Sequence, residues 1–62
     1  MFYYWKIILL DGEQEYAVRE KNNIKSFDKA LNEVLDFVEY INLTMHEMGL
    51  DNEVSFIVGE QN

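Results

Sequence analysis

FYYWKIILLDGEQEYAV, residues 2–18, decides the fold. Phe2 to Leu10 is dense in the aromatic and β-branched side chains that suit a pleated strand, and Asp11-Gly12 follows, a dipeptide suited to the positive φ angles of a two-residue hairpin turn. A second strand then starts at Glu13. With Leu10 and Glu13 flanking the turn, Leu9 opposes Gln14, Ile7 opposes Tyr16, Trp5 opposes Val18 and Tyr4 opposes Arg19. Side chains alternate along a strand, so one face gathers Tyr3, Trp5, Ile7, Leu9, Tyr16 and Val18 as a core. The other face carries Phe2, Tyr4, Lys6, Ile8 and Leu10 with Glu13, Glu15, Ala17 and Arg19, where Lys6 reaches Glu15 and Arg19 lies over Tyr4.

Beyond the hairpin, Lys21-Asn22-Asn23 reads as a polar loop and Ser26 as the cap of a helix, with Asp28 in the first turn where the helix dipole favours an anion. Phe27, Ala30, Leu31, Val34, Val38, Ile41, Met45 and Met48 recur at three- and four-residue steps, one apolar stripe of a helix from about 27 to 48. Gly49 supplies the left-handed residue of a Schellman stop, with Leu50 packing back on Met45. Asp51-Asn52 turns the chain into a short strand over residues 53–59, and residues 59–62 fray. The fold class is α+β: an antiparallel β-hairpin, one long helix and a third strand (ββαβ). A right-handed crossover gives a three-stranded sheet in order 2-1-3 with the helix on one face. Only the first strand is apolar on both faces, as a central strand should be.

Sixty-two residues make a single small domain, residues 1–62, and 48% hydrophobic with 15% aromatic residues is too apolar for a disordered tail. The chain has no cysteine, so no disulfide or thiolate zinc site supports its thin core, and such chains often gain stability by oligomerising. A net charge of −7 disfavours direct nucleic-acid binding or an anionic membrane and favours a basic partner. The first ten residues form too short an apolar run, broken by Lys6, for an export signal, and no stretch is long enough to span a bilayer, so the expected location is the cytoplasm. The sequon Asn42-Leu43-Thr44 falls inside the predicted helix of a chain read as non-exported.

Every Lys and Arg lies at or before Lys29. After it come Glu33, Asp36, Glu39, Glu47, Asp51, Glu53 and Glu60, so the whole net charge of −7 arises in residues 30–62. On the helix, Glu33, Asp36, Glu39 and Glu47 fall opposite the core stripe, with neighbours about 5–6 Å apart. Such spacing resembles that of successive phosphates. A charged outer face ordinarily serves solubility, but like charges without counter-charges repel, which points to a basic partner. Tyr40 and Leu43 stand on the same arc and would serve as apolar anchors within it. The candidate partner-binding face is therefore Glu33, Asp36, Glu39, Tyr40, Leu43 and Glu47. The second candidate is the sheet face that one helix cannot cover, Phe2, Tyr4, Ile8 and Leu10, which would support a homodimer or another protein contact.

Catalytic chemistry lacks its residues. His46-Glu47 begins the zincin pattern, but Leu50 stands where the second zinc-ligating histidine belongs. Asp36 and Glu39 could exchange protons only in a concave, desolvated site, which one helix over one sheet hardly provides. Neither a phosphate loop nor a nucleophile with its base is present, and Phe2 and Tyr4 have only Lys6 and Arg19 to accompany them as a nucleic-acid stacking platform. The expectation is a protein with no enzymatic activity, no cofactor and no metal.

Small size, strong acidity and the strand-strand-helix-strand plan resemble the small anti-defence proteins of phages and mobile elements, the anti-CRISPR proteins and DNA-mimicking inhibitors. The resemblance spans the chain in charge and element order; Tyr3-Tyr4-Trp5-Lys6 and the Ser26-Phe27-Asp28-Lys29-Ala30 helix start carry no diagnostic motif. It implies a viral inhibitor working in the host cytoplasm, one that occupies a basic groove of a host nuclease or nucleic-acid enzyme. The alternative is a small homodimeric module joined through the exposed sheet face.

Overall fold

The computed structural model describes residues 1–50 and 52–61. Asp51 and Asn62 lie outside the described residues, and with them part of the expected Asp51-Asn52 turn and of the expected frayed end. Four elements follow in order: β1 (Phe2–Asp11), β2 (Gln14–Ile24), α1 (Phe27–Glu47) and β3 (Glu53–Gln61). The three strands form one antiparallel sheet in order β2-β1-β3, an α+β arrangement with β1 central.

α1 covers one face of the sheet. Trp5 and Ile7 from β1, Ile24 from β2, and Ala30 and Val34 from α1 form the buried core, with Tyr3, Leu31, Phe37, Val38, Ile41, Val54 and Val58 packed around it. Trp5 is the largest fully buried side chain and tilts against Phe37, ring centroids 5.4 Å apart. Burying an indole of this size stabilises by roughly 4–6 kcal/mol. That gain exceeds the cost of the Trp5 Nε1–H, which is buried without a hydrogen-bond acceptor, a penalty of about 1–3 kcal/mol.

The helix follows its sequence signals closely. Ser26 Oγ accepts from the Lys29 N–H at 3.2 Å, the capping bond that satisfies one orphan donor. At the other end Leu50 N–H donates to Met45 O and Gly49 N–H to His46 O, the two bonds of a Schellman motif, with Gly49 at φ +75°. Leu50 itself stays half-exposed.

The hairpin departs from expectation in three ways. The turn residues are Gly12 and Glu13, not Asp11 and Gly12: Asp11 pairs with Gln14, and Gly12 takes the positive φ at the first loop position, the pattern of a type II′ turn. The register is therefore moved by two residues, which preserves the faces, and Leu9 opposes Tyr16. Next, the ladder slips between Ile8↔Ala17 and Ile7↔Arg19, a bulge that expels Val18 from the expected core place opposite Trp5 and leaves it exposed. Finally, Lys21-Asn22-Asn23 is strand rather than loop, with a second irregularity between Trp5↔Lys21 and Tyr3↔Ile24, where Asn23 adopts φ +60°. The slip carries Ile24 into the core. Asn23 is held there by Gln61, whose Oε1 accepts from its N–H at 2.7 Å and whose Nε2 donates to its Oδ1 at 3.1 Å.

β3 pairs with β1 residue for residue from Phe2↔Gln61 to Leu10↔Glu53 without a break. The ladder thus continues to Gln61, past Gly59, where fraying was expected. Gly59 opposes Tyr4, and a Cβ there would lie 2.9 Å from Tyr4 Cε1, so the absent side chain makes room for the tyrosine ring.

Candidate functional site

Helical periodicity places two flanks on α1, and the sheet distinguishes them. One flank overlooks β2: Lys21 Nζ donates to Glu33 Oε2 at 2.7 Å, and the Arg19 guanidinium stacks over Phe37 at 4.3 Å from the ring centroid. Both contacts exist because the first bulge rotates β2. Without it Arg19 would lie on the outer face opposite Lys6; with it Arg19 opposes Ile7 and Lys21 opposes Trp5, both on the helix side. The expected contacts of Lys6 with Glu15 and of Arg19 with Tyr4 are therefore replaced: Lys6 opposes Glu20, and Lys21–Glu33 is the one ion pair among the described residues.

The six residues of the proposed acidic face thus divide. Glu33 is half-buried and neutralised from within, its Oε1 buried without a hydrogen-bond partner. Asp36, Glu39 and Glu47 are exposed and unpaired among the described residues, and Tyr40 (67% exposed) and Leu43 (58%) project between them. Thr44 on the same side returns its hydroxyl to Tyr40 O at 2.9 Å. Glu33, Asp36, Phe37 and Tyr40 line an open groove of about 380 Å³ along this flank. A concave strip with an aromatic wall and a carboxylate rim can receive a long cationic side chain.

A second, smaller hollow of about 260 Å³ lies at the helix start, lined by Lys21, Asn23, Ile24, Lys25, Lys29 and Glu33. Three lysines spaced four residues apart, Lys21, Lys25 and Lys29, meet there, so the charge asymmetry read along the chain is also an asymmetry in space. The Lys21 contribution was illegible from sequence because it depends on the bulges.

On the sheet's other face no layer among the described residues covers Phe2, Tyr4, Ile8 and Leu10. Phe2 is exposed, while Tyr4, Ile8 and Leu10 are half-buried by their neighbours. Ile57, opposite Lys6, adds a residue of β3 to this face.

Among the described residues no group of three or more His, Cys, Asp or Glu is placed to hold a metal ion, and no helix is long and apolar enough to cross a membrane. Compared with known proteins, the chain matches no family model, and neither a curated sequence nor a solved structure aligns with it significantly.

Proposed function

We propose that this protein is a non-enzymatic, phage-type inhibitor that docks the acidic flank of α1 on a basic protein surface, one built to hold nucleic acid in a host nuclease or related enzyme, in the host cytoplasm. The observation that supports this reading is the arrangement on the outer arc of the helix: Asp36, Glu39 and Glu47 without counter-charges among the described residues, and the exposed Tyr40 and Leu43 set among them. The carboxylates would steer encounter and select a cationic surface, while Tyr40 and Leu43 would supply the desolvated anchors that slow dissociation. With Arg19 already over Phe37 and Lys21 on Glu33, Asp36 and Tyr40 are the groove residues that would take an arginine or lysine of the partner. Glu33, already bound to Lys21, contributes shape more than charge.

Capture from host lysate at low and high salt, with the wild-type protein and the double variant Asp36→Lys/Glu39→Lys as baits, tests this. Proteins retained by the wild type should be lost at high salt and lost to the variant, whose circular dichroism should match the wild type because both positions are exposed. Equal retention by the two baits overturns the reading.

A further inference from the structure

We infer that the free edge of β3 pairs with β3 of a second copy, joining two molecules into one six-stranded antiparallel sheet with both helices on the same face. The inference does not rest on the acidic arc, most of which points away from the sheet.

The two edges of the sheet are treated differently. A strand edge presents unpaired N–H and C=O groups, and monomeric proteins blunt it with bulges, charges, proline or short length. The β2 edge has such devices: two register breaks, a positive φ at Asn23, and Glu15, Arg19, Glu20 and Lys21 along it. β3 has none over its middle. Its ladder with β1 is unbroken, it contains no proline, and Val54-Ser55-Phe56-Ile57-Val58 is uncharged, with Glu53 and Glu60 only towards its ends.

Apolar side chains of both layers gather along that edge. Phe56 (37% exposed) points to the helix side and Ile57 (45%) to the outer side. On α1, Glu33 and Phe37 face β2, so the 3.6-residue period puts Leu35 (44% exposed) on the opposite flank, together with Leu31 and Val38. α1 packs over β1 and β3 and meets β2 at few points. With strands about 4.8 Å apart, a two-fold axis beside β3 would set the two helices roughly 10 Å apart, within ordinary helix-packing range, with Leu35 and Phe56 between them.

The pairing is self-complementary. With Phe56 opposite its symmetry mate, Val54 faces Val58 of the second copy, Ser55 faces Ile57, and Glu53 faces Gly59, so no two carboxylates are opposed. Area supports a second copy as occupant. The molecule exposes 4785 Å², about 600 Å² more than a compact monomer of its mass. A specific interface at the small end of the usual range removes about that much from each partner. The uncovered outer face is a poorer candidate, because Lys6 sits at the middle of its central strand with Glu20 beside it, and a two-fold axis there would bring two Lys6 side chains together.

The natural chain has no cysteine, so single cysteines report directly on the joint. Directly opposed residues of antiparallel strands have Cα atoms about 4.5–5.5 Å apart, within disulfide range. Phe56→Cys should therefore oxidise to a covalent dimer, while Tyr4→Cys and Ile8→Cys should not. By analytical ultracentrifugation the wild type should show twice the chain mass and Phe56→Lys the single-chain mass with circular dichroism unchanged. The single variant Asp36→Lys, a charge reversal on the solvent-facing arc, should remain dimeric while losing lysate capture, which separates this outcome from that of the docking reading. A wild-type mass that stays at one chain at every concentration, or covalent dimers from Tyr4→Cys or Ile8→Cys instead of Phe56→Cys, overturns the inference.

Discussion

β2 and β3 flank the same central strand, yet they do opposite work. β2 is long, exposed along nearly its whole length, and twice out of step with β1; its one buried residue is Ile24, at its end. β3 is in step throughout and contributes Val54 and Val58 to the core margin. The irregular strand spends its length on re-aiming polar groups: each slip changes which side chains meet the helix, and Arg19 and Lys21 reach Phe37 and Glu33 as a result. The regular strand leaves its outer edge open. A sheet can thus use one edge for electrostatics and keep the other for pairing, and bulges are the device that separates the two.

Ile24→Ala tests whether β2 depends on its terminal anchor. It should cost about 2–4 kcal/mol, the usual range for truncating a fully buried isoleucine, and denaturant unfolding of so small a domain should show it as a large drop in midpoint. A loss much below that range would mean that the second bulge holds β2 without the core contact. On β3, Gly59→Ala should destabilise by about 1 kcal/mol because the new Cβ meets the Tyr4 ring at 2.9 Å. In a Tyr4→Ala background the same substitution should become neutral or stabilising, since alanine restricts the unfolded chain, and the double-mutant cycle measures the coupling. The smallest effect belongs to Lys21→Met. Its ion pair with Glu33 is half open to solvent, so the loss should stay under about 1 kcal/mol at low salt and shrink as salt is added, read from unfolding midpoints at two ionic strengths.

The helix and its ends were legible because they are local: the stripe from Phe27 to Met45, the Ser26 cap and the Gly49 stop all act within a few residues. Even so, Phe27 and Met48, at the stripe's two ends, are exposed, although Phe27 still meets the Tyr3 ring edge-on at 5.9 Å between centroids. The candidate site was legible only in part. That Asp36, Glu39, Tyr40, Leu43 and Glu47 face solvent follows from helical period alone. That Glu33 is neutralised does not, because its partner stands twelve residues earlier on a strand whose facing depends on where the ladder slips.

The sequence by itself determined the element order, the central place of β1 and the outward acidic arc, since alternation, period and caps are properties of neighbouring residues. The tertiary structure decided the turn position, the two bulges and hence which basic residues meet the helix. A register slip moves side chains between faces at small local cost, so it is packing, with Ile24 drawn under the helix, that selects among registers of β2 the local sequence leaves nearly equal.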